Sequence, residues 1–589
     1  MATSSAGSSN AVLKKRAVVS SFILKYPEEG GKPEVALFKR SDKVNTYQHH
    51  WAPISGSIEK DDPSPLAAAW RELREETTLT PASLELVRQG KSYTFGDPSV
   101  GREWTIYPFV YRLKSAAAAS AAQSAIQTDW EHEAWAWYDP LAVEDTEAFG
   151  GVPHLAKSLR RAYFEKDLGS APGSAGAVLA RGLDRLKNDH QSGARQLAGV
   201  ALGVLKDVVQ ALDLGTSAGS SSPSSPSNVS NAATAAPMPP SFAAVDRWWA
   251  QVRFAAWHIW KNGRESMGAA ILSVLLDALA SMEETLQHHH GHAGGSSHCH
   301  GALRDAVVKD LDERIAQRAS AASAEPVAAA LLQYLETQFL GDGDGHGALS
   351  VLTLSESSTI AQCLQHVAAR SRFASLDLRV LESRPLFEGV SLGASLVQFV
   401  EDKGADSTGG AAIPVQVTLY TDASAALAAE GVDVVLLGAD RIAASGAVSN
   451  KTGSLPAVLS AKQQQQQQSA GVKVVVLGET EKIATPGDPH AHVVEDNDPV
   501  QVTRAWHSGD NSTRVRSAGD RLDRALATGG DDKSNNTAVH VRVHNIFFEW
   551  VPPALVDAYV TEQGRWSVED ISRHSAALGE KEARFFQDL

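Results

Sequence analysis

The period of the hydrophobic pattern changes twice along the chain, which constrains the fold more than any single motif. From Ala17 to about Leu168 the apolar residues come in strand-length runs, AVVSSFILKY, EVALFKR, WTIYPFVYRL and EAWAWYDP, with one Ala-rich amphipathic segment near Pro65 to Thr78. This predicts a mixed α/β unit over 17–170 behind a flexible N-terminal stretch, 1–16. From about Ala177 to Leu340 the period lengthens to that of a helix, as in LARGLDRLKNDHQSGARQLAGVALGVLKDVVQALDL. A helical domain over 175–345 is expected, with low-complexity insertions at 215–241 and 288–300. Beyond Gly345 short β-branched runs alternate with helical stretches: ALSVLTL, LDLRVLESRP, IPVQVTLY, VDVVLLGAD, VKVVVLGE and VHVRVHNIFFEW. That alternation predicts a doubly wound, mostly parallel sheet over 346–589, with the run Gln463 to Gln468 in a surface loop between two strands. The fold class is α/β multidomain, and 589 residues suit about three folding units.

Charge and composition exclude several kinds of partner. With 54 Lys and Arg against 69 Asp and Glu, a net of −15, the chain has no basic field for a phosphate backbone, so no direct nucleic-acid binding is expected. No stretch of about 18 uninterrupted apolar residues predicts a membrane span. The start MATSSAGSSNAVLKKR lacks the apolar middle of a secretory signal, and Cys299 and Cys363 are too few for a disulfide framework. A cytoplasmic protein is the expectation.

The segment GSIEKDDPSPLAAAWRELREETTL carries the sharpest chemical signal. Pro63 and Pro65 stand where a helix begins, and Glu72, Glu75 and Glu76 then share one helical face at offsets of zero, three and four. Like charges so placed repel by roughly 0.2–0.5 kcal/mol per pair on an exposed helix. A divalent cation would relieve that repulsion, and oxygen-only ligands favour Mg²⁺ or Mn²⁺. Such an ion polarises a diphosphate and activates water, while Arg71 beside it can orient a carboxylate. With Gly56 ahead of the helix and Leu73 and Leu79 behind it, the stretch resembles the Nudix box, Gly-x5-Glu-x7-Arg-Glu-U-x-Glu-Glu-x-Gly-U, where U is a bulky apolar residue.

The resemblance implies a Nudix α/β/α sandwich that hydrolyses a nucleoside diphosphate linked to another moiety. It assigns metal binding and catalysis to Glu72, Glu75 and Glu76, with Arg71 in support. Two positions depart from the box: the early Glu is replaced by Asp62 with one extra residue before Arg71, and the closing Gly is Thr78. The family's further downstream acid falls on Glu131 or Glu133 in DWEHEAWAW.

In the last part of the chain the strand VDVVLLGAD ends at Asp440 and runs into RIAASGAVSNKTGSL. A carboxylate at the carboxyl end of a parallel strand lies where doubly wound folds bind ligands, and Asn450, Lys451 and the backbone N–H of Gly453 offer groups for a phosphate. Ser355 and Arg384 stand at the ends of two further runs. LESRPLFEG, GADRIAASGAVSNKTGSLPAVLSAK and FFEWVPPALVDAYVTEQG resemble the family uniting the alpha, beta and delta subunits of initiation factor 2B with methylthioribose-1-phosphate and ribose-1,5-bisphosphate isomerases. NDHQSGARQLAGVAL is similar to that family's helical bundle.

This second resemblance implies a helical bundle, then a Rossmann-like sheet, a homodimer formed through the latter, and a sugar-phosphate or nucleotide pocket at Ser355, Arg384, Asp440, Asn450 and Lys451. The isomerases of that family work with a Cys and an Asp. Asp440 matches the Asp, whereas Ser355 stands in place of the Cys. A serine hydroxyl needs a dedicated base that a tuned thiol does not, so isomerase activity is disfavoured. Cys363, eight residues later, is expected to be a buried structural thiol.

Overall fold

The computed structural model describes residues 13–26, 32–114, 126–190, 192–214, 240–292, 297–320, 324–340, 347–405, 411–464, 471–489, 495–528 and 541–589. Residues 215–239 and 293–296 of the two insertions, 465–468 of the glutamine run and the first twelve residues lie outside the described residues. The described residues divide into two compact units, one reaching to Ala180 and including Leu589, the other running from Arg181 to Asp588.

The first unit is built on one mixed sheet. Its strands are β1 (Lys14–Lys25), β2 (Glu34–Arg40), β3 (Trp51–Ala52), β4 (Leu84–Gln89), β5 (Tyr93–Asp97), β6 (Arg102–Leu113) and β7 (His132–Tyr138). The order is β3-β2-β1-β6-β4, with β5 also on β6 and β7 also on β2. At its centre β1 runs parallel to β6 from Lys14/Arg102 to Leu24/Arg112. Alternate residues of β1 face opposite sides. Val19 and Ile23 join Ala68, Ala69 and Leu73 of helix α1 (Pro65–Thr77) in one core. Phe22 and Leu24 join Leu155, Leu159 and Ala162 of helix α2 (Leu155–Ala162) in another. A helix therefore covers each face, giving an α/β/α sandwich.

Helix α1 starts where its sequence dictates. Ser64 Oγ accepts from the Ala67 N–H at 3.1 Å, and Pro65, which has no N–H to satisfy, takes the first helical position. The helix ends at Thr78, which adopts the left-handed conformation with φ 62° and ψ 2°. That is the position where the Nudix box has Gly, the one residue without a Cβ penalty there. Leu73 is fully buried under α1, so its truncation to Ala costs about 2–5 kcal/mol.

The second unit opens with long helices: α3 (Ala194–Ala211), α4 (Pro240–Asn262), α5 (Gly268–His292), α6 (Ser297–Ser320) and α7 (Ala324–Phe339). Helix α3 buries Leu197, Ala201, Leu205 and Val208, the successive turns of one face. One segment among the described residues, Glu265–His288, is long and apolar enough to cross a membrane by length and composition, and 72% of its most apolar window is buried inside the protein. Such burial is that of a core helix. Val327, Leu331 and Leu335 of α7 already belong to the core of the sheet that follows.

That sheet holds β8 (Ala348–Leu354), β9 (Ser375–Leu381), β10 (Val415–Tyr420), β11 (Val434–Leu437), β14 (Lys473–Leu477), β16 (Ala558–Thr561) and β17 (Gly564–Trp566). The order is β10-β9-β8-β11-β14-β16-β17, parallel throughout except that β17 runs antiparallel to β16. Val351 of β8 packs with Ile360 and Leu364 of helix α8 (Ser358–Arg370). Leu352 and Leu354 pack with Ala457, Val458 and Ala461 of helix α10 (Ser454–Gln464), so the sheet is covered on both faces, as parallel sheets require. Helix α9 (Glu388–Ala405) follows β9. A small antiparallel sheet, β12 (Arg441–Ile442), β13 (Val448–Lys451) and β15 (Phe548–Val551), stands apart from the large one.

One sequence expectation is corrected here. Among the described residues of VHVRVHNIFFEW, the strand begins at Phe548, and this strand, Phe548–Val551, belongs to the small sheet. The large sheet takes AYVT of β16 instead. Among the described residues 541–545 no strand forms, and the buried Asn545 holds that segment: its N–H donates to Asp496 Oδ1 at 2.7 Å and its Nδ2 to the Asp498 carbonyl at 2.8 Å.

Candidate functional site

In the first unit the acidic face of α1 is organised by Arg71. Its Nε and Nη2 bind the Asp62 carboxylate at 3.1 and 2.8 Å, Nη2 also donates to the Ser57 carbonyl at 3.0 Å, and Nη1 lies 2.7 Å from Glu72 Oε1 and 3.3 Å from Glu75 Oε2. The pairing holds Asp62 below the usual carboxylate range and raises Arg71, chiefly through Asp62. Asp62, at the early Glu position of the motif, thus anchors the arginine to the loop before the helix. Gly56 explains its own identity, because a Cβ there would stand 2.0 Å from both Cδ and Oε1 of Glu72.

Burial raises both Glu72 and Glu76 above the ordinary carboxylate value, and each also feels the negative charge of a neighbouring glutamate. For Glu76 the shift is large, with the neighbouring charges of Glu72, Glu131 and Asp129 adding to it. Glu76 Oε2 is 2.6 Å from His132 Nε2. Burial lowers His132 to about 4, so at neutral pH this ring is uncharged and does not neutralise the acids. His132 Nδ1 is buried without a hydrogen-bond partner.

The three glutamates share a face of α1 but do not already surround one point. Among the described residues no three acidic, histidine or cysteine side chains are arranged as a ready metal site. The reason is local: Arg71 draws Glu72 and Glu75 toward itself, while His132 holds Glu76. Glu75, with its side chain 55% exposed, is the most movable of them. The donor set nonetheless fits a hard divalent cation: a cationic nitrogen already bridges Glu72 and Glu75, and the buried Glu76 has the uncharged His132 as its hydrogen-bond partner.

The two downstream acids separate. Glu131 is half-buried and raised by burial and then by Asp129, and it contributes to the field at Glu76. Glu133 points elsewhere, bridged to Lys39 at 2.9 Å and His49 at 3.0 Å. His132 between them escaped the sequence reasoning. The signal was there, since in HEAWAWY the residue flanked by two acids on a strand faces the opposite side from them.

In the second unit the large sheet reverses its direction of growth between β8 and β11. Strands β9 and β10 extend one way from β8, and the chain then returns to place β11 on its other side. Ligands of doubly wound sheets bind at such a switch point. Ser355 follows β8 and Asp440 follows β11, so both border this crevice. A Cβ on Gly438 would stand 3.3 Å from Ser357 Oγ and 3.4 Å from Asn450 Oδ1, which places those two side chains against the same strand end. Asn450 Nδ2 donates to Ser454 Oγ at 2.9 Å, and Lys451 Nζ is 2.8 Å from Glu388. Asp440 is raised by burial and opposed by the cations of Lys482, Lys451 and Arg264. Lys482 is itself buried, with Glu479 at 3.2 Å, and Thr359 Oγ1 donates to that same Glu479 at 3.1 Å.

Two sequence assignments look different in the structure. The Gly453 N–H is not free for a phosphate: it donates to Glu549 Oε1 at 2.6 Å, which also takes the Leu455 N–H and so caps α10. Arg384 is bound to Glu382 at 2.9 Å and lies over the Phe387 ring, and none of its contacts is with Asp440, Asn450 or Lys451. Ser355 has φ 68° and donates its N–H to Ser383 Oγ at 2.8 Å, but among the described residues its hydroxyl has no hydrogen-bond partner to act as a base. Cys363 is buried on α8 in the apolar core, its thiol pushed up to about 12 by desolvation.

Comparison with known proteins separates the same two parts. Residues 15–161 match the NUDIX domain and residues 299–568 the initiation factor 2 subunit family. The chain is 28% identical over 269 residues to ribose 1,5-bisphosphate isomerase of Haloferax volcanii, a match covering 46% of this chain and 65% of that protein. It is 32% identical over 208 residues to methylthioribose-1-phosphate isomerase of Rhodopirellula baltica, covering 35% and 47%. The chain thus spans 65% or less of the length of these curated relatives. Among solved structures, eIF2B beta from Chaetomium thermophilum aligns with a TM-score of 0.41 at 14% identity, over 68% of this chain and 92% of that one. The 5-methylthioribose 1-phosphate isomerase from Pyrococcus horikoshii aligns with 0.38 at 17%, over 68% and 87%.

Proposed function

We propose that this chain, in which a Nudix domain precedes an initiation factor 2 subunit family domain, is a cytoplasmic, metal-dependent hydrolase of a nucleoside diphosphate linked to another moiety. Its second half holds a sugar phosphate or nucleotide. The observation that carries the hydrolase reading is the acidic face of α1: Arg71 Nη1 bridges Glu72 and Glu75 at 2.7 and 3.3 Å, and on the same face burial disfavours the charge of Glu72 and Glu76. Glu72, Glu75 and Glu76 would hold Mg²⁺ or Mn²⁺, which would neutralise the diphosphate and activate the attacking water. Arg71 fixes the Glu72 carboxylate against the loop of Asp62 and Ser57. Glu131 supplies a further half-buried acid able to accept a proton.

The test is a hydrolysis screen of the full-length protein against nucleoside diphosphate sugars, dinucleoside polyphosphates and capped dinucleotides, with and without Mg²⁺. Cleavage that vanishes in Glu75→Gln supports the assignment. Metal-dependent cleavage that Glu75→Gln leaves intact refutes the site.

For the second half we favour ligand binding or a regulatory, subunit-like role over catalysis, because the Ser355 hydroxyl has no base. Isomerisation is the alternative that the named relatives keep open. Ketose formation from methylthioribose 1-phosphate or ribose 1,5-bisphosphate at high protein concentration would establish it. A homodimer through this half is supported by Leu386, Phe387, Val390, Val397 and Leu419, all large apolar residues at least 40% exposed on or beside α9 and the edge strand β10. A monomer in analytical ultracentrifugation would count against it.

A further inference from the structure

We propose that Trp130 is the stacking platform for the planar base of a nucleoside diphosphate substrate, with Arg40 holding its phosphate. The inference rests on the hydrolase reading above and names how the substrate's two halves are recognised. Trp130 is 56% exposed, and among the described residues its indole meets no other ring. Its backbone, by contrast, is fixed. The Gln127 and Asp129 N–H groups donate to the carbonyls of Thr77 and Glu76 at 3.3 Å each. Ser41 Oγ donates to the Trp130 carbonyl at 2.9 Å and the Ser41 N–H to the Glu131 carbonyl at 2.8 Å. The indole is therefore carried on a segment tied both to the end of α1 that bears Glu76 and to the residue after Arg40. An aromatic face held ready in this way loses little freedom when a ring stacks on it.

Arg40 completes the arrangement. It pairs with His132 in the β2–β7 register, and His132 touches Glu76. Its Nε donates to the Thr46 carbonyl at 3.1 Å, while among the described residues no hydrogen bond or ion pair takes its two Nη groups. Glu131 and Glu76 are the acids whose charge it feels most. A half-buried guanidinium near the buried Glu76 and the half-buried Glu131, with one edge unused, suits a phosphate oxygen bound next to those acids. The negative charges of Asp129 and Glu131 flanking Trp130 disfavour a phosphate on the indole and leave it to the uncharged base.

The experiment uses the full-length protein with ADP-ribose and UDP-glucose as probes and phosphoribosyl diphosphate as a diphosphate without a base. Stacking of a base predicts that Trp130→Ala raises KM for the two nucleoside probes about ten- to hundredfold with kcat little changed, and that Trp130→Phe retains most of the affinity. On phosphoribosyl diphosphate Trp130→Ala should behave as the wild type, whereas Arg40→Gln should lower kcat/KM for every probe. In the Glu75→Gln background, calorimetric binding of ADP-ribose should weaken by the same factor when Trp130→Ala is added. An unchanged KM and binding constant, or an equal loss on phosphoribosyl diphosphate, overturns the stacking role even if hydrolysis itself is established. Hydrolysis untouched by Glu75→Gln sinks the reading of the acids without bearing on the indole.

Discussion

Gly56→Ala separates the function of Glu72 from the stability of the unit around it. A Cβ at residue 56 would lie 2.0 Å from Cδ and Oε1 of Glu72 and 2.4 Å from Oε2. An ordinary non-bonded contact is about 3.5 Å, so the carboxylate must retreat by about 1.5 Å. The atoms in the way are the far end of a flexible side chain, and a new rotamer costs about 0.5–1.5 kcal/mol. Gly→Ala returns part of that, about 0.4–1 kcal/mol, by reducing the freedom of the unfolded chain. The net change in stability is therefore within about 1 kcal/mol, a shift of a few degrees in Tm for a unit of this size. Catalysis tolerates the same movement poorly, because misplacing a catalytic group by about 1 Å costs on the order of 10²-fold, or about 3 kcal/mol of transition-state stabilisation. Mg²⁺-dependent hydrolysis of ADP-ribose and a thermal melt of the same sample measure both quantities. A variant that hydrolyses within twofold of the wild type refutes the claim that the position of Glu72 matters. A Tm loss well beyond 5 °C refutes the claim that the side chain, rather than the backbone, gives way.

Three further outcomes follow from the same reasoning. Thr78→Gly should stabilise the first unit by about 1 kcal/mol in urea denaturation, because an exposed β-branched residue at φ 62° carries a left-handed strain of about 1–2 kcal/mol that Gly lacks; a loss of stability would mean the strain is absent. In Glu76→Gln with chelator present, His132 becomes the dominant titrating group of the pair. Its folded value of about 4 lies below the ordinary 6.5, so its contribution is fully present above pH 6.5 and is lost as pH falls toward 4, by about 3 kcal/mol at most. Urea midpoints that stay flat between pH 7.5 and 4.5 would contradict a buried neutral imidazole. In the second unit, Lys482→Met leaves Glu479 buried and unpaired and should cost about 3–5 kcal/mol; a change under 1 kcal/mol in guanidinium titrations would show the pair to be solvated.

How much was legible in the sequence depended on whether local chemistry and tertiary need agreed. Helix α1 could be read off because Ser64, Pro65 and the apolar positions Ala69 and Leu73 all specify the same element. Strand β4 could not, since LELVRQ breaks the apolar alternation with Arg88. That arginine is buried in the fold, bound to both carboxylate oxygens of Glu165 at 2.7 Å and set over the Phe164 ring. No periodicity announces a partner seventy-seven residues away. The acidic face was legible for a similar reason to α1, because its spacing is local. Its electrostatics were not: whether Glu76 is ionised depends on burial and on a histidine from another strand. Arg71 illustrates the intermediate case, a residue whose place beside the acids is visible in the sequence while its anchor, Asp62, is fixed only by the loop's return.

The second unit poses the sharper question of why several cations are gathered around a buried carboxylate at the end of its sheet. Three cations, from Lys482, Lys451 and Arg264, act on Asp440, and each has been brought there by a different element. Burial alone would disfavour the Lys482 cation, but Glu479 and Asp440 more than offset that desolvation and hold the charge in place. An apolar core would be cheaper if the crevice merely had to be filled. The Cys363 thiol does not take part, since burial pushes it up to about 12 and it packs among leucines. Ser355 meanwhile holds a left-handed backbone conformation that turns its N–H toward Ser383 and leaves its hydroxyl without a base. Positive charge gathered at a topological switch point is what the proposed binding of an anion requires, and ketose formation from a sugar phosphate would show that the same charge also serves a rearrangement.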